Sequence, residues 1–120
     1  MIPERIGQEL RSLGMTPGKM YYAYTSTALR ITTRQTDDLY HVTKKLYPEV
    51  GRCYSATWKS VERGLRHAVD VAWETAPERL SAMIGCQLKK KPTPSEFLAI
   101  LTTYLLMQEA AEASGTSAPL

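Results

Sequence analysis

The sequence predicts an all-α fold: a compact bundle of about six helices containing a helix-turn-helix. Three observations predict it. Apolar residues recur at spacings of three and four through most of the chain, which is the period of an amphipathic helix. β-Branched residues never alternate with polar ones for long, so strand signals are poor. Prolines and glycines fall between the periodic stretches, where they start and stop helices. A length of 120 residues suits one domain. A domain of that size buries roughly two thirds of its unfolded surface and holds a core without staples. The expected organisation is one domain over residues 1–109, with the helix-turn-helix at about 48–75 and a flexible tail over 110–120.

Pro3 to Leu13 reads as the first helix, with Ile6, Leu10 and Leu13 inward and Gly14 as its stop. Thr16-Pro17 is expected to open the second, Thr16 as cap and Pro17 at the first helical position, running to about Arg34. Its predicted inner stripe is Tyr21, Ala28 and Ile31, supplemented by Tyr24. Thr36 or Asp37 caps a third segment in which Leu39, Val42, Leu46 and Val50 hold the inward spacing. Pro48 is poorly tolerated inside a helix. The expectation is a break near Leu46-Tyr47, then a short helix through Cys53 and a turn at Ser55-Ala56-Thr57.

The next helix, Thr57 to Thr75, is the one the rest serves. At ~100° per residue, Val61, Leu65, Ala68 and Ala72 form one stripe, with Trp58 and Val69 at its edge. Lys59, Arg63, Arg66 and Asp70 lie opposite, flanked by Glu62. Thr57 is the expected N-cap. A short helix, a tight turn and a longer helix with a basic outer face make a helix-turn-helix. Pro77 then opens a short helix with Leu80, Met83 and Ile84 apolar and Gly85 as stop. Cys86 to Pro94 reads as a loop carrying Lys89, Lys90 and Lys91. Ser95 as cap and Pro94 in the first turn are competing starts for the last helix, whose apolar stripe is Phe97, Ile100, Leu101, Tyr104 and Leu105.

The totals exclude several classes. No apolar stretch over Met1 to Gly14 makes a signal peptide, and no run approaches a membrane span. The expectation is a soluble cytoplasmic protein with no membrane partner. Cys53 and Cys86 cannot build a four-ligand zinc site with His41 and His67 at these spacings, so both cysteines read as small buried hydrophobes and no cofactor or metal is expected. A Gly-rich phosphate loop, a nucleophile elbow and a metal-ligand cluster are all missing, so an enzyme is not expected. The net charge of +3 permits a nucleic-acid partner without demanding one.

Three tracts stand together: Thr43-Lys44-Lys45-Leu46-Tyr47-Pro48, Val61 to Trp73, and Lys91 to Phe97. They resemble the T-K-x-L-Y-P, V-E-R-x-x-R-H-A-x-x-V-A-W and K-P-T-x-S-E-F tracts of the C-terminal effector domain of stage 0 sporulation protein A. The resemblance is specific there, looser from Ile6 to about Arg34, and covers roughly residues 6–107. It implies a helical domain that binds a short asymmetric DNA box and regulates transcription at the nucleoid. It implies base and phosphate contacts for Glu62, Arg63 and Arg66, with His67 beside them and Lys91 near the phosphates. RNA polymerase and a second copy on tandem sites are the further partners implied. Two departures matter. The family arginine that reads a guanine is replaced by Ser60, with Lys59 one position earlier. Nothing here resembles the family's receiver domain, so an effector domain without its receiver is expected.

The chemistry agrees with a DNA reader. An arginine fork matches guanine O6 and N7, and a glutamate accepts from cytosine N4. Lys59, Glu62, Arg63 and Arg66 are therefore the base-reading candidates, although Glu62 can instead orient Arg66 as an i,i+4 pair. Ser60, His67, Lys89, Lys90 and Lys91 are the backbone candidates, with a solvated lysine loop as the alternative for the last three. Lys44, Lys45 and Arg52 are further candidates for backbone contact. Trp58 and Trp73 read as core or edge packing. Tyr21, Tyr22 and Tyr24 read as packing too, with a dimer or polymerase contact left open. The rival function is a protein-interaction module without specific DNA binding.

Overall fold

The computed structural model describes residues 1–113. The first helix, α1 (Ile2–Ser12), buries Ile6 and Leu10, and Leu13 closes the stripe just after it. Gly14 then turns the chain with φ of 89°. The second helix starts later than Thr16-Pro17 implies: α2 spans Met20–Arg34. Gly18 sits at φ 93°, which ends any helix begun at Pro17. The Thr16 amide donates instead to the Tyr21 hydroxyl at 2.9 Å.

α2 lies at the centre and packs on α1, α4 and α6. It therefore buries a different stripe from the one expected: Tyr24, Thr25, Ala28, Leu29 and Thr32. Tyr21 and Ile31 are only half-buried. The two threonines are tolerated because each hydroxyl is paired. Thr25 Oγ1 donates to the Tyr21 carbonyl at 2.8 Å, and Thr32 Oγ1 meets Thr102 Oγ1 at 2.7 Å.

The third segment is not one helix. A 3-10 turn (Thr36–Tyr40) leads to a π turn (Val42–Leu46), in which the Lys45 and Leu46 amides both donate to the His41 carbonyl. The chain then enters α3 (Tyr47–Tyr54), with Pro48 in its first turn, where a missing N–H costs nothing. Val42, Leu46 and Val50 point inward as the spacing implies, joined by Tyr47.

The linker also buries Asp38 completely, with Lys45 Nζ 3.1 Å from its carboxylate. Burial, then a hydrogen bond to Asp38 that its protonated form alone can donate, push the Glu49 carboxyl above its ordinary value of 4.5. A carboxyl raised in the folded state favours folding fully below 4.5 and loses that contribution as pH rises through the raised value. Glu49→Gln keeps the shape and removes the titration. The melting temperature of the variant relative to the native chain should therefore be higher at pH 7 than at pH 4.5. Calorimetry at the two pH values checks this, and an equal difference at both rules it out.

α4 (Trp58–Thr75) and α5 (Pro77–Ile84) follow. The eight-residue α5 brings only Leu80 and Met83 to the core, so Ile84, expected on its apolar side, is 44 % exposed at the helix end. Arg79 ties α5 to α1 through Glu9 at 2.5 Å and to α6 through the Tyr104 hydroxyl at 3.3 Å.

The last helix, α6, spans Pro94–Ala113. Pro94 is its first residue, and the cap is Thr93 rather than Ser95. The Glu96 amide donates to Thr93 Oγ1 at 3.1 Å, and the Thr93 amide donates to Glu96 Oε1 at 2.9 Å. This reciprocal pair is a capping box, written in the sequence as T-P-S-E. Phe97, Leu98, Leu101, Thr102 and Leu105 are buried, while Ile100 and Tyr104 are partly so. The helix continues through residues 110–113, expected as tail, and Glu112 pairs with Arg5 of α1 there. The rest of the expected tail, residues 114–120, lies outside the described residues.

Both cysteines are exposed, which corrects the expectation of burial. Cys53 faces out from α3, its thiol donating weakly to the Glu49 carbonyl at 3.6 Å, and Cys86 falls in the loop after Gly85.

Candidate nucleic-acid interface

α3 and α4 meet through a turn that contains no glycine. Ser55 takes the left-handed conformation, φ 52° and ψ 43°, at the end of α3. The Ala56 amide returns to the Gly51 carbonyl at 2.9 Å. The glycine this geometry needs is inside α3: a Cβ on Gly51 would collide with the Ala56 carbonyl oxygen. A signal for the helix-turn-helix is thus present in the sequence, four residues upstream of the turn.

Thr57 then caps α4. Its Oγ1 accepts from the Ser60 amide at 3.1 Å, as expected from sequence. Val61, Leu65, Ala68, Val69 and Ala72 are buried, so the predicted stripe faces inward. α4 crosses α2 closely at Gly64, where a Cβ would lie 2.6 Å from Tyr24 Cδ2. That contact sets the roll of α4, and the roll decides which side chains reach solvent.

Lys59, Arg63 and Arg66 are all exposed on the opposite face. Glu62, half-buried between that face and the core, meets Arg66 at 3.5 Å. Beneath it lies Tyr47 of α3. Burial first, and then the charge of Glu62, push the Tyr47 hydroxyl up to about 12, so it stays neutral. Arg63 has no ion-pair partner among the described residues.

The remaining candidates divide. Lys91 folds onto α4 and pairs with Asp70 at 2.7 Å. Arg66, Asp70, Lys91 and the Pro92–Pro94 turn border a shallow depression of about 340 Å³. The loop is thereby joined to the cationic face. Lys89 and Lys90 are exposed in the same loop without an ion pair among the described residues. Ser60 is half-buried and accepts a hydrogen bond from the Thr57 hydroxyl at 3.1 Å, so its side chain serves the cap. His67 is exposed but lies edge-on to Tyr21 of α2, ring centroids 4.6 Å apart. Of the weaker candidates, Lys45 is engaged by Asp38, while Lys44 and Arg52 are exposed.

The two tryptophans differ in burial. Trp73 packs against the core, but Trp58 is 38 % exposed. The apolar stripe of a helix is covered by neighbouring elements, and a residue in the first turn extends past them.

A comparison with known families is decisive at this point. Residues 6–105 match the model of the family described as sporulation initiation factor Spo0A, C terminal. The chain belongs to that family. Spo0A C-terminal domains are DNA-binding effector domains of sporulation response regulators. The match extends from the middle of α1 to the last buried residue of α6, so it spans the whole Spo0A-type core. Among the described residues no helix is long and apolar enough to cross a membrane, and no three His, Cys, Asp or Glu side chains are grouped to hold a metal ion.

Proposed function

We propose that the chain is a sequence-specific reader of duplex DNA that regulates transcription, with α4 as the helix that enters the major groove. The observation that carries this reading is the composition of one stripe. Lys59, Arg63 and Arg66 are exposed together, with two carboxylates set among them, Asp70, which Lys91 engages, and Glu62. A carboxylate on a phosphate-facing surface is repelled unless it reads a base or aligns a donor. Glu62 is in position for either role. Lys89, Lys90 and Lys91 form the phosphate-positioning rim, and His67 and the Ser60 end of the cap lie within backbone reach. RNA polymerase and a second copy on a tandem box are the protein partners that family membership suggests, and the nucleoid is the corresponding location.

The test is binding to duplexes carrying a Spo0A-type box against scrambled duplexes at several salt concentrations. Four phosphate contacts give a slope of log affinity against log salt of roughly −4. A sequence preference must accompany that slope. If the slope is flat and scrambled duplexes bind equally, the chain is an interaction module instead. Glu62→Ala should lower the preference for the best duplex by about ten-fold or more, the worth of one base contact, with a smaller change on scrambled DNA. Unchanged selectivity would remove Glu62 from the base-reading set.

A further inference from the structure

Trp58 opens α4 and is 38 % exposed at the end of the helix taken above as groove-entering. Neighbours i and i+1 on a helix do not normally face each other. Lys59 nevertheless lies with its ammonium 5.8 Å from the centroid of the Trp58 ring. An ammonium over an indole face is attracted by the negative face of the ring.

This contact differs in kind from the others on the same face. Arg66 is held by Glu62 and Lys91 by Asp70, so each of those cations is placed by a carboxylate that also cancels its charge. An indole places Lys59 and cancels nothing. Lys59 therefore keeps its full charge and all three N–H donors. Ser60, beside it, is half-buried against the Thr57 cap and carries no charge. The indole leaves an apolar surface in water beside that donor. In the major groove the apolar group at the base edge is the thymine 5-methyl, and the strongest acceptor pair for an ammonium is guanine O6 and N7.

Resting on the DNA-reading assignment above, we propose that Trp58 is a specificity-determining residue: it positions Lys59 toward a guanine and covers the 5-methyl group of an adjacent thymine. Two neighbouring base positions are then read by one aromatic-cation unit at the start of α4.

The experiment uses the full chain and a duplex chosen from a random pool for tight binding. Each thymine is replaced in turn by uracil, which removes only the methyl group. One thymine next to a guanine should show a loss of about four-fold, the worth of one buried methyl. Trp58→Ala should abolish the sensitivity at that thymine alone, and Trp58→Phe should retain part of it. If selection yields a clear preferred sequence but the uracil scan is flat, or Trp58→Ala leaves it unchanged, this proposal is overturned while DNA reading stands. If selection yields no preferred sequence, DNA reading itself fails and takes this proposal with it. The scan on the unaltered chain requires no substitution, so an unfolded variant does not leave the matter open.

Discussion

Arg66→Ala is expected to weaken binding to every duplex, matched or scrambled, by roughly ten- to a hundred-fold, the range for a lost arginine contact at a DNA surface. The loss has two parts. A cation leaves the exposed face of α4, and Glu62, which Arg66 meets at 3.5 Å, is left as an unneutralised carboxylate facing phosphates. The two effects can be separated. In a Glu62→Ala background the carboxylate is already gone, so removing Arg66 should cost less there than in the native chain. The salt dependence should also become shallower, by about one unit for the missing phosphate or base contact. Folding should barely change: Arg66 is exposed, its partner Glu62 is half-buried on the same helix, and i,i+4 helix pairs contribute only about 0.3–0.5 kcal/mol. Titration of labelled duplexes at two salt concentrations, with a melting curve for each variant, measures all of this. An Arg66→Ala protein that binds DNA normally would remove α4 from the interface.

Gly51→Ala is expected to be the most damaging small substitution for the fold. The added methyl would meet the Ala56 carbonyl, which is backbone and cannot rotate away, with the Ala56 carbonyl carbon only 3.3 Å distant. The turn must open, and the Ala56 amide loses its 2.9 Å bond to the Gly51 carbonyl. Overpacking of this kind costs about 1–3 kcal/mol, a fall in melting temperature on the order of 5–15 °C for a domain of this size. The displaced turn carries the Thr57 cap and the start of α4, so DNA affinity should fall even below the melting transition. Gly7→Ala is the matched control. A methyl there meets only the flexible tip of Arg11 at 3.0 Å and the Tyr22 hydroxyl at 3.3 Å. Replacing a helix-interior glycine gains up to about 1 kcal/mol in helix propensity. Calorimetry of the two variants decides the matter: equal melting temperatures would mean the α3–α4 approach is not tight.

The candidate site was unevenly legible from residues alone. Thr57 as a cap, the buried stripe from Val61 to Ala72 and the exposure of Lys59, Arg63 and Arg66 all follow from periodicity and capping chemistry. Those are local properties, set within one or two turns of helix. The stripe of α2 differs from the expected one because α1, α3, α4 and α6 all pack on it, and a helix covered on several sides no longer shows one apolar face. The cap of α6 was legible but overlooked: Thr93 and Glu96 stand at capping-box spacing on either side of Pro94. The cysteines differ from expectation because a preference of cysteine for burial is statistical: the sequence does not say which side of α3 meets the core at Cys53, and Cys86 falls in a surface loop.

By itself the sequence determined the helical class, the family-bearing tracts and the division of α4 into an apolar side and a basic side, because each depends on residue types at helical spacing. Tertiary structure alone decided the pairing of the loop lysine with that side, whereas the Glu62–Arg66 pair is local to the helix. Lys91 is captured by Asp70 across 21 positions, and Gly64 sets the roll of α4 by its approach to Tyr24. It also decided that Trp58 stays 38 % exposed beside Lys59. The physical reason is the range of the forces involved: helix periodicity and capping act over three or four residues, whereas burial and ion pairing depend on whatever the rest of the chain brings alongside.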